Sequence, residues 1–344
     1  MSAHSTAFFQ AISRYLKRAN GTALGYNRPP TRPKRKLMEP LEQRGAGFSP
    51  LLPDANEPIG IFDSGMGGLT VARCIAEALP HESIYYVGDT KRCPYGVREP
   101  HEIRTFVRQI GAWFAQRRVK LVVIACNTAT AAALPLAQRT FGVPVIGVIA
   151  PGARAAVQAT VARQVGVIAT PLTVQSDAYA QAIRQMDAGV AVHSLATPRF
   201  VGLVERELAT GRHLHEDWRH DRDVFMAPEI QRAVAQDLAP LLARDIDTLV
   251  LGCTHFPLLT PAIRAAFGRP INIVSSAEET TREVGETLDR RDQLARAGGP
   301  VRHRFATTSD DITAFAAAGA FIFGRPLASI ERIDLAELAA IDQP

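Results

Sequence analysis

Val122-Val123-Ile124-Ala125-Cys126-Asn127-Thr128 is an apolar run that ends in a small residue, a cysteine and two polar residues. The same order returns at Leu249-Val250-Leu251-Gly252-Cys253-Thr254-His255. A short uninterrupted apolar run reads as a strand buried on both faces, the habit of parallel sheets covered by helices. The polar residues after it open a helix. Each cysteine is therefore expected at the carboxyl end of a strand, where open α/β sheets bind ligands. Taken singly, either cysteine also reads as a buried structural residue.

Outward from these two runs, short β-rich stretches alternate with longer helical ones. Strands are expected at Ile59 to Phe62, Ile84 to Val87, Leu121 to Ala125, Val143 to Gly147, Val165 to Ala169, Val190 to His193, Thr248 to Leu251, Ile271 to Val274 and Phe321 to Phe323. Helices are expected at Leu69 to Leu79, Glu99 to Gln116, Thr128 to Thr140, Pro151 to Ala159, Leu172 to Met186, Pro228 to Ala243 and Thr280 to Arg290. The alternation predicts an α/β fold of two pseudo-symmetric lobes, each a mainly parallel sheet flanked by helices, with the active site in the cleft between them. Residues 58–150 with 260–326 are expected to build the first lobe and residues 151–259 the second. Residues 1–57 read as a basic, Pro/Arg-rich extension and residues 327–344 as a helical tail.

Composition narrows the function. The 344 residues are 47% hydrophobic and 21% charged, which suits two domains around real cores. No apolar stretch approaches the roughly 20 residues needed to cross a bilayer, so no membrane partner is expected. The net charge of +5 resides in residues 1–57, leaving 30 basic and 30 acidic residues in the rest. The basic pI is thus no sign of a nucleic-acid surface on the body. Phe8, Phe9, Ile12, Tyr15 and Leu16 recur at helical spacing beside Arg14, Lys17 and Arg18, which fits a basic anchor or a solvated tail. The body holds only Lys91 and Lys120, neither in the setting of a pyridoxal-phosphate or P-loop lysine. Cys74, Cys93, Cys126 and Cys253 form no C-x-x-C pair, and no secretory signal is visible, so free thiols in the cytoplasm are expected. His213, His215 and His220 lack a spacing that fixes metal ligands, and no metal is expected.

A thiol at the first turn of a helix feels the positive end of the dipole, and polar neighbours can solvate its thiolate. Two such thiols on facing lobes suit proton exchange at a stereocentre, one removing a proton from one face while the other returns one opposite. A single cysteine working with His255 in acyl transfer remains open on spacing alone. In Gly60-Ile61-Phe62-Asp63-Ser64-Gly65-Met66-Gly67-Gly68-Leu69-Thr70 the nucleotide-binding glycine spacing is missing, and Asp63 would repel a pyrophosphate. Asp63 can assist a base or hold an ammonium group, and it equally reads as a helix N-cap.

Ile61 to Thr70, Tyr86-Val87-Gly88-Asp89-Thr90-Lys91-Arg92-Cys93-Pro94-Tyr95-Gly96, Ala125 to Thr130 and Gly252 to Leu259 resemble, in this order, the motifs of the glutamate racemases. The resemblance covers about Pro58 to Pro326. It implies a cofactor-free reaction in which Cys126 removes the α-proton of D-glutamate and Cys253 that of L-glutamate, assisted by Asp63 and His255 respectively. It further implies that Asp63, Ser64, Tyr95, Gly96, Asn127, Thr128, Thr254 and His255 hold the substrate glutamate, that Glu205 assists Cys253, and that the product serves peptidoglycan synthesis. Cys93 reads as structural. Thr197 stands where the family commonly has a cysteine, and Val274-Ser275-Ser276 replaces a usual acidic-small pair. A homodimer is the assembly implied. Some extended members are described as acting on DNA gyrase, but no residue of 1–57 predicts that or a nucleic-acid contact. A racemase of a related amino acid such as aspartate, or a regulatory binding protein that keeps the fold, are the alternatives.

Overall fold

In the computed structural model, residues 54–211 and 222–341 are described. The expected N-terminal amphipathic helix and the loop of His213, His215 and His220 lie outside them. The strands are β1 (Ile59–Asp63), β2 (Ile84–Gly88), β3 (Leu121–Ile124), β4 (Val145–Gly147), β5 (Gln164–Ala169), β6 (Ala191–Ala196), β7 (Thr248–Gly252), β8 (Asn272–Ser275), β9 (Arg304–Thr307) and β10 (Ile330–Arg332). They form a six-stranded sheet of order β10-β9-β2-β1-β3-β4 and a four-stranded sheet of order β6-β5-β7-β8. Every pairing is parallel.

The core of both sheets follows one plan. β1 lies between β2 and β3 with β4 beyond, and β5 lies between β6 and β7 with β8 beyond. Registers agree as well: Phe62 pairs with Ile124 and Ile168 with Leu251, each pair two residues before a cysteine. β1, β2, β3 and β7 are buried along their whole length, because helices cover both faces and β-branched residues fill the space. The edge strands β6 and β8 are only partly buried.

Helix Ser276–Arg290 joins the lobes. It packs on helix Leu69–Ala78 of the first and on helix Ile149–Ala159 of the second. Its N-cap is Ser275, whose hydroxyl accepts from the amide of Ala277, and the ion pair of Arg154 with Glu283 (3.3 Å) ties it to the second lobe.

Several expectations change. β8 belongs to the second sheet, so that lobe extends beyond residue 259 to Ser275. The tail is not purely helical, since β10 pairs with β9 before helix Leu335–Ile341 begins. Phe321 to Phe323 is the end of helix Ile312–Phe323, not a strand; this Ala- and Phe-rich helix is apolar on most sides, and a short run from it cannot be told from a buried strand. The stretch Leu172 to Met186 is two helices, Pro171–Gln175 and Ala178–Met186, broken at Asp177, whose φ of 54° is left-handed. Helices Arg199–Ala209 and Thr260–Phe267 are additional to the expected elements.

At the amino ends of the first sheet, Lys120 is fully buried. Its Nζ lies 2.6 Å from Glu82 Oε2 and donates to the carbonyls of Ala55 and Gln293, while Glu82 Oε1 accepts from the amide of Ala295. Burial lowers the Lys120 pKa and raises that of Glu82, each opposed by the other's charge. Removing one partner strands the other charge in a dry site, so Lys120→Met is expected to cost about 3 kcal/mol in urea unfolding. Lys120→Met with Glu82→Leu should recover most of it.

Candidate active site

In each sheet the chain leaves a central strand in opposite directions, β1 and β3 in the first and β5 and β7 in the second. The loops at those carboxyl ends part and leave a crevice. β1 ends on Asp63, and β3 is followed by Ala125, then Cys126 as the cap of helix Asn127–Thr140. β5 leads into Thr170 and β7 into Cys253. The two crevices meet. Ser64, Tyr95, Gly96, Cys126, Asn127, Thr128, Cys253, Thr254 and His255 line one cavity of about 20 Å³. Asp63 lies buried behind it, and Glu205 meets its lining at His255 and Cys93.

Cys126 accepts from the amide of Ala129 at 3.5 Å, and its Sγ is 3.7 Å from Ser64 Oγ. Burial, and after it the nearby charge of Asp63, pushes the thiol up to about 12. Asp63 accepts from the amide of Gly65 (3.0 Å) and the hydroxyl of Thr254 (3.2 Å), the second a contact between lobes. Burial raises its pKa, against the pull of His255. No hydrogen bond joins Asp63 to the Cys126 thiol, so the two act on each other through charge.

Cys253 has different company. Its Sγ lies 3.8 Å from Nδ1 of His255, whose Nε2 is 3.3 Å from Oε1 of Glu205. Burial alone lowers the His255 pKa, but its contacts with Cys253 and Glu205 outweigh burial and hold it well above the usual imidazole range. Burial raises Glu205, yet His255 and the thiol of Cys93, 3.5 Å away, bring the carboxyl below its ordinary value. Burial, with Glu205 next, pushes the Cys93 thiol far up and keeps it neutral. The imidazolium thus places a positive charge against the Cys253 sulfur, while Cys126 is left a neutral thiol.

The remaining expected residues divide by what their polar atoms do. The amide nitrogen of Asn127 is buried without a partner, while its oxygen accepts from Tyr179 at 2.7 Å. This leaves a fixed donor for an anionic ligand. Thr128 shares its hydroxyl with Thr170 (2.9 Å). Tyr95 differs from expectation: its hydroxyl donates to Asp89, which also accepts from Arg92 (2.7 Å) and Thr308 (3.0 Å), so Tyr95 offers the cavity its ring and backbone. A Cβ at Gly96 would stand 2.7 Å from Cβ of Thr170, and one at Gly67 2.5 Å from Oγ1 of Thr254. Both glycines let the lobes approach.

Cys93, Pro94, Thr170 and Val201 also line the cavity. Thr170 was findable, since it follows β5 as Ser64 follows β1; Val201 carries no signal. Among the described residues no cluster of His, Cys, Asp and Glu is arranged to hold a metal, and no helix is long and apolar enough to cross a membrane.

The profile of the Asp/Glu/hydantoin racemase family matches residues 59–284. The glutamate racemase of Exiguobacterium sibiricum is 45% identical over 255 residues, 74% of this chain and 88% of that one. Among solved structures, a glutamate racemase isoform from Bacillus anthracis is 39% identical with a TM-score of 0.72, covering 82% of this chain and 98% of its own. The glutamate racemase of Francisella tularensis, in complex with D-glutamate, is 28% identical with a TM-score of 0.71 and the same coverage.

A thiol with its pKa near 12 gains thiolate in proportion to hydroxide throughout the neutral range. Iodoacetamide labelling of Cys126, read by peptide mass spectrometry, is therefore expected to accelerate about tenfold per pH unit between about pH 7 and 9. A plateau below pH 8 would show a thiol already ionised.

Proposed function

This chain belongs to the Asp/Glu/hydantoin racemase family, among its glutamate racemases, and we propose that it interconverts L- and D-glutamate by proton transfer between two cysteines, without a cofactor. The observation that carries this reading is the pair of buried thiols on one cavity, each supplied by the matching switch point of a separate lobe. A planar carbanion between them can lose a proton to one sulfur and regain one from the other.

The protonation states suit that chemistry. With His255 protonated, the Cys253 sulfur is stabilised as the base that takes the α-proton of L-glutamate, and neutral Cys126 supplies a proton to the opposite face. The reverse direction exchanges the roles. Desolvation serves the reaction here, because a thiolate out of water is a stronger base toward a weakly acidic carbon. Asp63 is suited to the substrate ammonium, whose charge in turn favours a thiolate at Cys126. The carboxylates fall to neutral donors, the Asn127 amide, the hydroxyls of Ser64, Thr128 and Thr254, and the backbone at Tyr95 and Gly96. Fixed donors of this kind stabilise the negative charge that builds up as the α-proton leaves. The D-glutamate bound by the Francisella relative supports glutamate as substrate.

D-Glutamate made this way would serve peptidoglycan synthesis in the cytoplasm, whose reducing conditions keep Cys126 and Cys253 as thiols. The homodimer implied by the family resemblance is the proposed assembly.

The test follows the circular dichroism of D-glutamate and, separately, L-glutamate, with aspartate as control. Both glutamate signals should decay to zero without added cofactor. Cys126→Ala and Cys253→Ala should each reduce the rate by about three orders of magnitude or more. Racemisation that survives either substitution would remove the two-thiol mechanism, and an inert wild type would remove the function.

A further inference from the structure

Tyr179 stands in helix Ala178–Met186 of the second lobe, while Asn127 opens helix Asn127–Thr140 of the first. The tyrosine is 2% exposed, and its hydroxyl reaches across to Oδ1 of Asn127 at 2.7 Å. The phenol oxygen also accepts from the hydroxyl of Ser276, the first residue of the helix that joins the lobes. Two bare backbones keep room for this arrangement. A Cβ at Gly152 would stand 3.1 Å from Oη of Tyr179 and 3.2 Å from Cβ of Ser276, and one at Gly252 would stand 3.1 Å from Cε2 of the ring. Burial, and after it the charge of Cys253, raises the Tyr179 pKa, so the phenol keeps its proton. With Ser276 donating to the phenol oxygen, that proton is left for Asn127.

We propose that Tyr179 is a positioning residue for the reaction, a donor from the second lobe that holds the Asn127 amide with Nδ2 toward a substrate carboxylate only while the lobes are closed. The assignment rests on the glutamate reading above. A side-chain amide has two ends of nearly equal shape and opposite polarity, so something beside it must choose which end faces the cavity. Turned over, Asn127 would set its NH2 against the phenol O–H, donor against donor, and would offer the cavity a carbonyl oxygen that repels a carboxylate. As it stands, Nδ2 is buried without a partner, and a ligand can take its hydrogen bond without breaking another. Because the tyrosine and the amide belong to different lobes, opening the cleft breaks their contact and frees the amide to turn. Closure restores it, so the anion donor is assembled by the same motion that encloses the substrate. Tyr179 lies outside the lining of the cavity and acts through Asn127.

Tyr179→Phe keeps the ring and removes the donor. Its KM for glutamate, measured by circular dichroism, is expected to rise about tenfold while kcat falls less than about threefold, with the melting temperature close to that of wild type. Asn127→Ala removes the amide itself. In that background Tyr179→Phe should change KM by less than about twofold, since no amide remains to be turned. An unchanged KM in Tyr179→Phe would overturn the assignment. So would a loss confined to kcat, or one that persists undiminished in the Asn127→Ala background, because the tyrosine would then act on the cleft by another route. Should Tyr179→Phe melt below the assay temperature, Ser276→Ala takes its place by withdrawing the hydrogen bond that turns the phenol proton toward Asn127; a KM rise of about threefold is then expected, and none overturns the assignment. Failure of the glutamate reading is separate, since wild type itself would then leave glutamate unchanged.

Discussion

A strand paired on both sides by parallel neighbours has its backbone groups committed, and its carboxyl end is where the chain is free to turn toward a ligand. The central strands β1 and β5 each have that status, and each has its next two neighbours on opposite sides. The loops consequently diverge at one point in each sheet, and a cysteine follows β7 directly and β3 after one residue. Placing those two points against one another needs lobes that approach closely, which the bare backbones at Gly67 and Gly96 permit. Pairing order, thiol position and cavity are one constraint expressed at three scales.

The lobes share a backbone plan and differ in charge. The strand position that carries Asp63 in the first lobe carries Ala169 in the second, as their matching distances from Cys126 and Cys253 require. A carboxylate beside Cys126 adds to burial in keeping that thiol neutral. Without a carboxylate at its strand end, Cys253 is served by His255 and, beyond it, Glu205 from a helix. The two sulfurs are thereby set in unlike surroundings, Cys126 near a carboxylate and Cys253 against an imidazole.

How far the sequence discloses this depends on burial. Leu121–Ile124 and Thr248–Gly252 are legible because strands covered on both faces become continuous apolar runs, and the cysteines after them mark the cleft. Arg304–Thr307 and Ile330–Arg332 are too short and too polar to register as strands, although they extend the first sheet. Phe321 is misassigned for the opposite reason, an excess of apolar residues that hides the helical period. At the site, residues adjacent in sequence to a cysteine are easily read. The link from Glu205 to His255 joins elements about fifty residues apart, and the diversion of the Tyr95 hydroxyl to Asp89 depends on side-chain direction; neither has a local signature.

The cavity between the lobes holds about 20 Å³, enough for a water molecule and far less than an amino acid. Across it run a few polar contacts, Thr254 to Asp63, Tyr179 to Asn127 and Thr128 to Thr170. A substrate of any affinity must wait for these to break together, so association is governed by how often the lobes part and falls below the rate of diffusional encounter. Part of the intrinsic affinity is spent in selecting the open form, and the same closure then slows escape. Long residence rather than fast capture is the kinetic character such a cleft confers on whatever it encloses.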